Sequence, residues 1–133
     1  MLARKCYPQE YVAAVRRTYR DQLASYAALG LSDAQRAGFE PGYVHQLLLA
    51  LEQSFAHRTR GLEGKDGNPL NEVRMLAASV PAGVLVEDPT VRWRPEASVT
   101  GLAVGDRIDV DAATFGTLAE AFLDEIEKRF PEA

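Results

Sequence analysis

The sequence predicts one compact, mainly helical domain spanning residues 1–133, with four helices, and three observations lead to this fold class. Four stretches carry apolar residues at three- and four-residue spacing, which is typical of amphipathic helices. Proline, glycine and capping residues stand at the ends of these stretches. The segment between the third and fourth stretches lacks this period and contains prolines, which indicates a small β hairpin or an extended arm.

The first half of the chain predicts two long helices with a short helical turn between them. The first helix covers Pro8 to Leu29, and the turn covers residues 32–37. Gly38 should break the helical pattern, because glycine weakens a helix interior. The second long helix should then run over roughly residues 41–60. Its apolar stripe is broad, so we expect it to be the most buried helix.

The second half predicts a third and a fourth helix around the irregular segment. The third runs from Pro69 to about Val80, and the fourth from Ala112 to Phe130 with Asp111 as its cap. Within the segment, Trp93 stands between two arginines and could stack on a nucleic-acid base. An anchor in the core or in an interface is the favoured interpretation for this residue.

Composition restricts the classes of function. With 47% hydrophobic and 26% charged residues, the chain is typical of a globular protein. No apolar run approaches the roughly 18 residues that span a membrane, and no secretory signal pattern opens the chain. A single cysteine, Cys6, predicts a reducing compartment, the cytoplasm. We expect no membrane partner.

Charge is distributed unevenly along the chain. Residues 1–60 hold eight Lys/Arg and five Asp/Glu, whereas residues 61–133 hold seven and fourteen. The net charge is −4, and no broad basic surface is predicted, so we expect no nucleic-acid partner. Packing of one half against the other would account for the asymmetry.

The motifs of common catalytic and metal sites are absent. The chain has two histidines, too few for a three-histidine site. On the predicted second helix, His45 and Glu52 share a face that His57 does not, which argues against a metal site there. We therefore predict no metal and no cofactor, and we assign no catalytic residue.

One stretch, the junction at residues 61–74 (GLEGKDGNPLNEVR), has an unusual composition. It contains both asparagines of the chain, Asn68 and Asn71, and a glycine at every third position, 61, 64 and 67. Gly61 suits a left-handed position at a helix end, and Asp66-Gly67 is a turn signal. Asn68-Pro69 predicts a helix start.

The junction and the basic residues before it form a candidate site for an anionic ligand. A helix N-terminus offers free N–H groups to phosphate or carboxylate. The side chains in this hypothesis are His57, Arg58, Arg60, Lys65, Asn68, Asn71, Glu72 and Arg74. His57 with Glu72 is also a candidate general base with an orienting partner. The favoured interpretation is a structural connector whose polar groups satisfy one another.

Three segments together resemble a known protein family. They are HRTRGLEGKDGNPLNEVR, PEASVTGLAVGDRI and the closing pattern FxxLxxAFxxEIEKRF. They resemble a family of small uncharacterised bacterial proteins that is commonest in actinobacteria, over about residues 39–130. The resemblance implies one recurring domain type and transfers no activity.

Two functions follow as hypotheses. The first is a binding or protein-interaction domain without catalysis, present as a homodimer. The breadth of the second helix, to which Leu49 and Ala50 contribute, and the apolar residues from Val84 to Trp93 favour it. The alternative is a small enzyme or an anionic-ligand-binding domain that uses residues 57–74.

Overall fold

The structure, a computed structural model that describes residues 3–133, contains five α-helices. They are α1 (Gln9–Ala28), α2 (Asp33–Ser54), α3 (Arg60–Glu63), α4 (Pro69–Ser79) and α5 (Ala112–Arg129). Two short 3-10 turns, Val80–Ala82 and Pro95–Ala97, lie between α4 and α5. The mainly helical fold class is confirmed. The predicted count of four helices is wrong, because one further helical turn, α3, forms where the junction begins.

The segment between α4 and α5 does not form the predicted hairpin, and residues 3–133 contain no β-strand. Its two ends do approach each other. Leu85 N donates to Asp106 O (2.9 Å) and Ile108 N donates to Gly83 O (3.0 Å), and these two bonds form one antiparallel bridge, between Val84 and Arg107. The next donor, Val86 N, bonds instead to Ser79 Oγ (2.9 Å), so the pairing does not extend past Leu85. We call residues 83–110 the arm.

Helix α2 is continuous across the point where the sequence predicts a break. Ser32 and Gln35 form a reciprocal capping box, which starts the helix at Asp33. Gly38 and Pro41 then lie inside it. A single interior glycine costs only about 1 kcal/mol, and the capping and core packing of this helix outweigh it. Proline still lowers its intrinsic stability.

The other end of α2 comes earlier than the predicted residue 60. Phe55 leaves the helical conformation (φ −131°) and buries its ring in the core. The backbone that follows pairs instead with the N-terminal segment. Arg4 N donates to His57 O (2.6 Å), and Thr59 N donates to Arg4 O (2.8 Å). These long-range bonds replace the last helical turn.

The core is centred on α4 and α5 rather than on α2. Helix α4 contacts both α2 and α5, and it buries polar Asn71 and Glu72 as well as its apolar stripe. On α2, Leu49 is 37% exposed, so the prediction that α2 is the most buried helix is wrong. No helix within residues 3–133 combines the length and the hydropathy needed to cross a bilayer.

Helix α5 matches its prediction closely. Asp111 Oδ1 accepts a hydrogen bond from Thr114 N (2.7 Å) and caps the helix. The predicted stripe, from Phe115 through Phe122 to Phe130, is buried.

Ion pairs between α1 and α5 explain much of the charge asymmetry. The Arg16 guanidinium contacts Glu120, Asp124 and Glu127 of α5. Arg20 also donates to Glu120, at 2.6 Å through Nε. The basic first half and the acidic second half therefore neutralise each other where these two helices pack.

Candidate functional site

The junction begins with a helical turn and a left-handed glycine, and the glycine is not the predicted one. Gly61 lies inside α3, whereas Gly64 follows the helix with φ 74°. A Cβ at Gly64 would stand 3.0 Å from Asp66 Oδ1 and 3.2 Å from Arg129 Nη1. The positive φ therefore favours glycine at position 64, and an added Cβ would also require the ends of two side chains to shift.

The predicted start of α4 at Asn68-Pro69 is confirmed. Asn68 Oδ1 accepts hydrogen bonds from Leu70 N (3.0 Å) and Asn71 N (3.4 Å), and Pro69 occupies the first turn. Asn68 Nδ2 donates to Glu63 O (2.6 Å). The helix N-terminus thus has its first N–H groups occupied by its own cap, which weakens the hypothesis that they bind an anion.

A buried carboxylate, Glu63, is the centre of the polar cluster. Its side chain is fully excluded from solvent and contacts Arg58, Arg60 and Arg74. Arg74 Nη2 lies 2.7 Å from Oε1 and 2.9 Å from Oε2. Glu63 is not among the eight residues of the anion-site hypothesis. The sequence could have pointed to Glu63, because this acidic residue lies between Arg58 and Arg60 on one side and Arg74 on the other.

Arg58 uses four of its five N–H donors within the protein, and its buried side chain does not face solvent. Its side chain is fully buried and donates to Glu63, to Glu52 Oε1 (2.8 Å) and to the carbonyls of Phe55 and Leu70. Its guanidinium also lies 5.3 Å from the centre of the Phe122 ring. Hydrogen bonds and a cation–π contact together offset the cost of burying this charge.

Arg60 and Asn71 belong to the same network. Arg60 Nη1 contacts Glu63 and donates to Asn71 Oδ1 (2.8 Å), while Nη2 donates to Thr90 Oγ1 (2.7 Å). Asn71 Nδ2 donates to the carbonyls of Gly64 (3.2 Å) and Asp66 (2.8 Å). The Asn71 side chain therefore ties the junction to the first turn of α4.

The arm extends this network at Thr90 and Asp88. The Thr90 hydroxyl donates to Asp88 Oδ1 (2.7 Å). This hydrogen bond, with the nearby Arg60 and Arg74, lowers the pKa of Asp88. The cluster contains three carboxylates, Glu52, Glu63 and Asp88. This number equals the number of its arginines. The cluster therefore carries no excess positive charge for an anion.

Glu72 serves the arm and is not placed as a base. Its carboxylate accepts from Val99 N (3.0 Å), Thr100 N (2.9 Å) and Thr100 Oγ1 (2.8 Å), and the residue is buried. His57 is exposed, and among the hydrogen bonds of residues 3–133 only its backbone carbonyl takes part. The structure does not bring the His57–Glu72 pair together.

Trp93 anchors the arm to the junction. Its indole N–H donates to Leu102 O (2.8 Å), and a Cβ added at Gly67 would stand 3.1 Å from its ring. Arg92 N donates to Lys65 O (2.7 Å) beside this contact. The geometry matches the favoured interpretation of Trp93 as an anchor.

A cavity of about 510 Å³ opens beside the junction, at the first turn of α4. Of the eight candidate residues, only Asn68 and Glu72 line it. Its positive charges come from Arg92 and Arg94, both exposed. Lys65 is exposed elsewhere on the junction and does not line the cavity.

The eight candidates thus divide into two groups. Six lie in the internal network: Arg58, Arg60, Asn68, Asn71, Glu72 and Arg74. The side chains of His57 and Lys65 lie outside it. Within residues 3–133, no three His, Cys, Asp or Glu side chains are arranged to hold a metal ion. The resemblance to an actinobacterial family stays a prediction. Comparison of the chain with protein-family models, with curated proteins and with solved structures finds no match.

Proposed function

We propose that the protein is a protein-interaction domain without catalysis, and that the junction is its structural joint. The observation that carries the proposal is a contrast between two parts of the surface. The polar side chains of the junction bond to one another, whereas large apolar side chains stand exposed where α1 turns into α2. Leu29 is 65% exposed and Phe39 is 53% exposed.

Leu29 and Phe39 are the two most exposed of the seven large apolar side chains that stand exposed within residues 3–133. Phe39 stacks on Tyr26 (ring centres 6.0 Å apart) and on Tyr43 (5.6 Å). Tyr26 is in turn held by a hydrogen bond from its hydroxyl to Glu40 (2.8 Å). A rigid aromatic group with one face in water is typical of an interface anchor, because it binds a partner at little entropic cost. We name the surface around Leu29, Leu31 and Phe39 the tip.

The proposal is tested by purifying the tagged chain from its native cells and identifying stoichiometric partners. Phe39→Glu should release the partner, because a charge would then be buried in the interface. Leu49→Glu is the matched control, since Leu49 is an exposed leucine of α2 outside the tip. A chain that recovers no stoichiometric partner, itself included, would contradict the proposed function.

The second candidate function is binding of a small anion in the cavity beside α4. The specific observation is that Arg92 and Arg94 line this cavity together with Asp66 and Glu72. The Glu72 carboxylate accepts hydrogen bonds from Val99 and Thr100, and Arg94 pairs with Glu96 (3.0 Å). A charge-assisted contact to each arginine would supply about 1.5–3 kcal/mol of binding. An enzymatic use of this cavity stays open as the alternative.

Thermal shift with phosphate, sulfate and small carboxylates tests this candidate. Arg92→Ala or Arg94→Ala should weaken binding about tenfold or more, by loss of one such contact. Lys65→Ala is the control, because Lys65 does not line the cavity. If none of these anions stabilises the parent protein, the candidate is wrong.

We further propose a bacterial, cytoplasmic protein. The single Cys6 supports the compartment, since a chain with one thiol gains no internal disulfide from an oxidising environment. The bacterial origin is supported by the resemblance of three sequence segments to an actinobacterial family.

A further inference from the structure

We infer that the tip binds the tip of a second copy of this chain, which makes a twofold homodimer. The inference rests on the proposed interaction function and names its partner. Its first support is shape. Leu31 separates two concavities of about 390 Å³ each. Leu29 and Phe39 stand at the edge of one of them.

The second concavity is lined largely by small residues. Five of its nine lining residues are alanine or glycine, and the others are Leu23, Tyr26, Leu31 and Arg36. An apolar side chain from outside fits such a groove without displacing a large neighbour. Projecting apolar groups and apolar concavities therefore lie side by side on one surface. Across a twofold axis, the projecting side chains of each copy would insert into the concavities of the other. Such mutual contact of the same surface is the property of an isologous interface.

Charge is the second support. Gln22 to Ser32 contains no charged residue, although 26% of the chain is charged. Two copies that each carry −4 repel each other over most approaches, but not over this neutral end. At its rim Asp33 (96% exposed) and Arg36 (53% exposed) pair within the chain, and Glu40, Asp109 and Asp111 line the same concavity beside them. A twofold axis places each sign within reach of its opposite.

The charges elsewhere on the chain argue against a strongly charged partner. Arg16 and Arg20 are held by the α5 carboxylates, and the arginines around Glu63 are neutralised internally. A surface that selects an acidic or basic protein needs unpaired charge of one sign. The tip offers apolar contact and a rim on which Arg36 stands among carboxylates, so each copy presents both signs of charge to the other.

The required area defines the extent of the interface. A stable dimer buries about 800 Å² per partner, which is about a tenth of the 7562 Å² surface of this chain. Leu29 and Phe39 alone cannot supply that area. The interface must therefore include both concavities, and with them the N-terminal turn of α5 at Ala112 and Ala113.

Sedimentation equilibrium over a wide concentration series tests the inference. The parent chain should show twice the monomer mass of 14.6 kDa. Phe39→Glu and, separately, Leu29→Glu should weaken dimerisation by about tenfold or more, as for central interface residues. Leu49→Glu and Val86→Glu should leave it unchanged, because these exposed positions lie outside the tip. Circular dichroism checks that each variant is folded. If one of the two tip variants does not fold, the other still tests the inference.

A charge exchange tests the twofold arrangement itself. Asp33→Arg gives a rim with two positive positions, and Arg36→Asp gives a rim with two negative positions. Each variant alone should dimerise more weakly than the parent by about threefold to tenfold, and an equal mixture should recover the parent affinity. If Asp33 and Arg36 only stabilise α2, the equal mixture would not recover the parent dimer affinity.

Three results would overturn the inference. The first is a parent chain that stays at the monomer mass at the highest soluble concentration. The second is a dimer that both Phe39→Glu and Leu29→Glu leave intact. The third is a monomeric parent that recovers a different protein, which Phe39→Glu releases. This last outcome excludes the second copy and leaves the proposed interaction function standing, so the two failures are distinguishable.

Discussion

Arg58 donates through Nε to the Glu63 carboxylate, and both side chains are completely excluded from solvent. The pair joins the turn after α2 to α3, and Arg74 of α4 completes it. Removing two charges from water is expensive, and the mutual attraction of the pair offsets this cost only while every partner is present. The junction is therefore stabilised by several bonds to Glu63 acting together, although Arg74 Nε is buried without a hydrogen-bond partner among residues 3–133.

Removal of the central carboxylate is the first prediction. Glu63→Gln should lower the free energy of unfolding by about 3–5 kcal/mol, because it leaves buried arginine charge without compensation. Urea denaturation measures the change. Glu87→Gln, at an exposed carboxylate, should change stability by less than about 0.5 kcal/mol. A Glu63→Gln value as small as this control would mean that the cluster is hydrated and open.

The three junction glycines give the second prediction, because they differ in what a Cβ would meet. Gly64→Ala should cost about 2 kcal/mol, since φ is 74° and Asp66 stands 3.0 Å away. Gly67→Ala should cost about 1 kcal/mol and shift the fluorescence of Trp93, which it displaces. Thermal unfolding and tryptophan emission measure these effects.

Gly61→Ala is the matched control for both. The nearest atom to its added Cβ is Thr59 Cγ2 at 3.9 Å, and the position is helical. Alanine should therefore be neutral or stabilise by up to about 1 kcal/mol. The reverse order, with Gly61 the most sensitive position, would contradict the backbone path described for the junction.

Local signals in the sequence account for the parts of the fold that were predicted correctly. Apolar spacing predicts α1, α4 and α5, and the caps at Asn68 and Asp111 mark helix starts, because both depend on residues a few positions apart. The same reasoning fails at Gly38, where α2 is continuous because the Ser32–Gln35 capping box starts the helix before the glycine, although residues 33–39 are exposed. It also fails at Phe55, where pairing with Arg4 ends α2 early.

The centre of the candidate site depends on contacts that no local pattern contains. Glu63 meets Arg74 eleven residues later, and Glu72 meets Thr100 in the arm. Composition nevertheless singles out the junction, since unusual residue types gather where a fold needs specific hydrogen bonds. It cannot tell internal satisfaction from ligand binding, because asparagine, arginine and glutamate serve both. That distinction requires the partners of Asn71 and Arg58.

Asn68 gives the third prediction. Asn68→Ala should cost about 2 kcal/mol, more than the typical 1 kcal/mol of a lost cap, because Nδ2 also donates to the buried carbonyl of Glu63. Asn68→Ser keeps a capping oxygen and should recover about half of that loss. Lys65→Ala should be neutral, since Lys65 is exposed. Equal effects of Asn68→Ala and Lys65→Ala on the melting temperature would contradict this account.

The last prediction concerns the cap of α5 and its dependence on pH. The backbone hydrogen bond from Thr114, with its side-chain hydrogen bond, holds the pKa of Asp111 below its ordinary value of 3.8. A carboxyl whose pKa is lowered by folding stabilises the protein above its unfolded pKa. That contribution is lost as the pH falls through the folded pKa. Asp111→Ala should therefore cost about 1 kcal/mol at neutral pH, and this difference from the parent should shrink in acid.

Asp111→Asn separates the charge from the cap, because asparagine caps a helix without titrating. It should nearly equal the parent at neutral pH and become the more stable of the two below about pH 3, by up to about 1 kcal/mol. Thermal melts of the three proteins across this range measure the effect. Asp88 and Glu120, whose pKa values are also lowered, titrate equally in all three, so differences between the proteins isolate Asp111. If the Asp111→Ala difference stays constant into acid, the Asp111 carboxylate does not cap α5 through its charge.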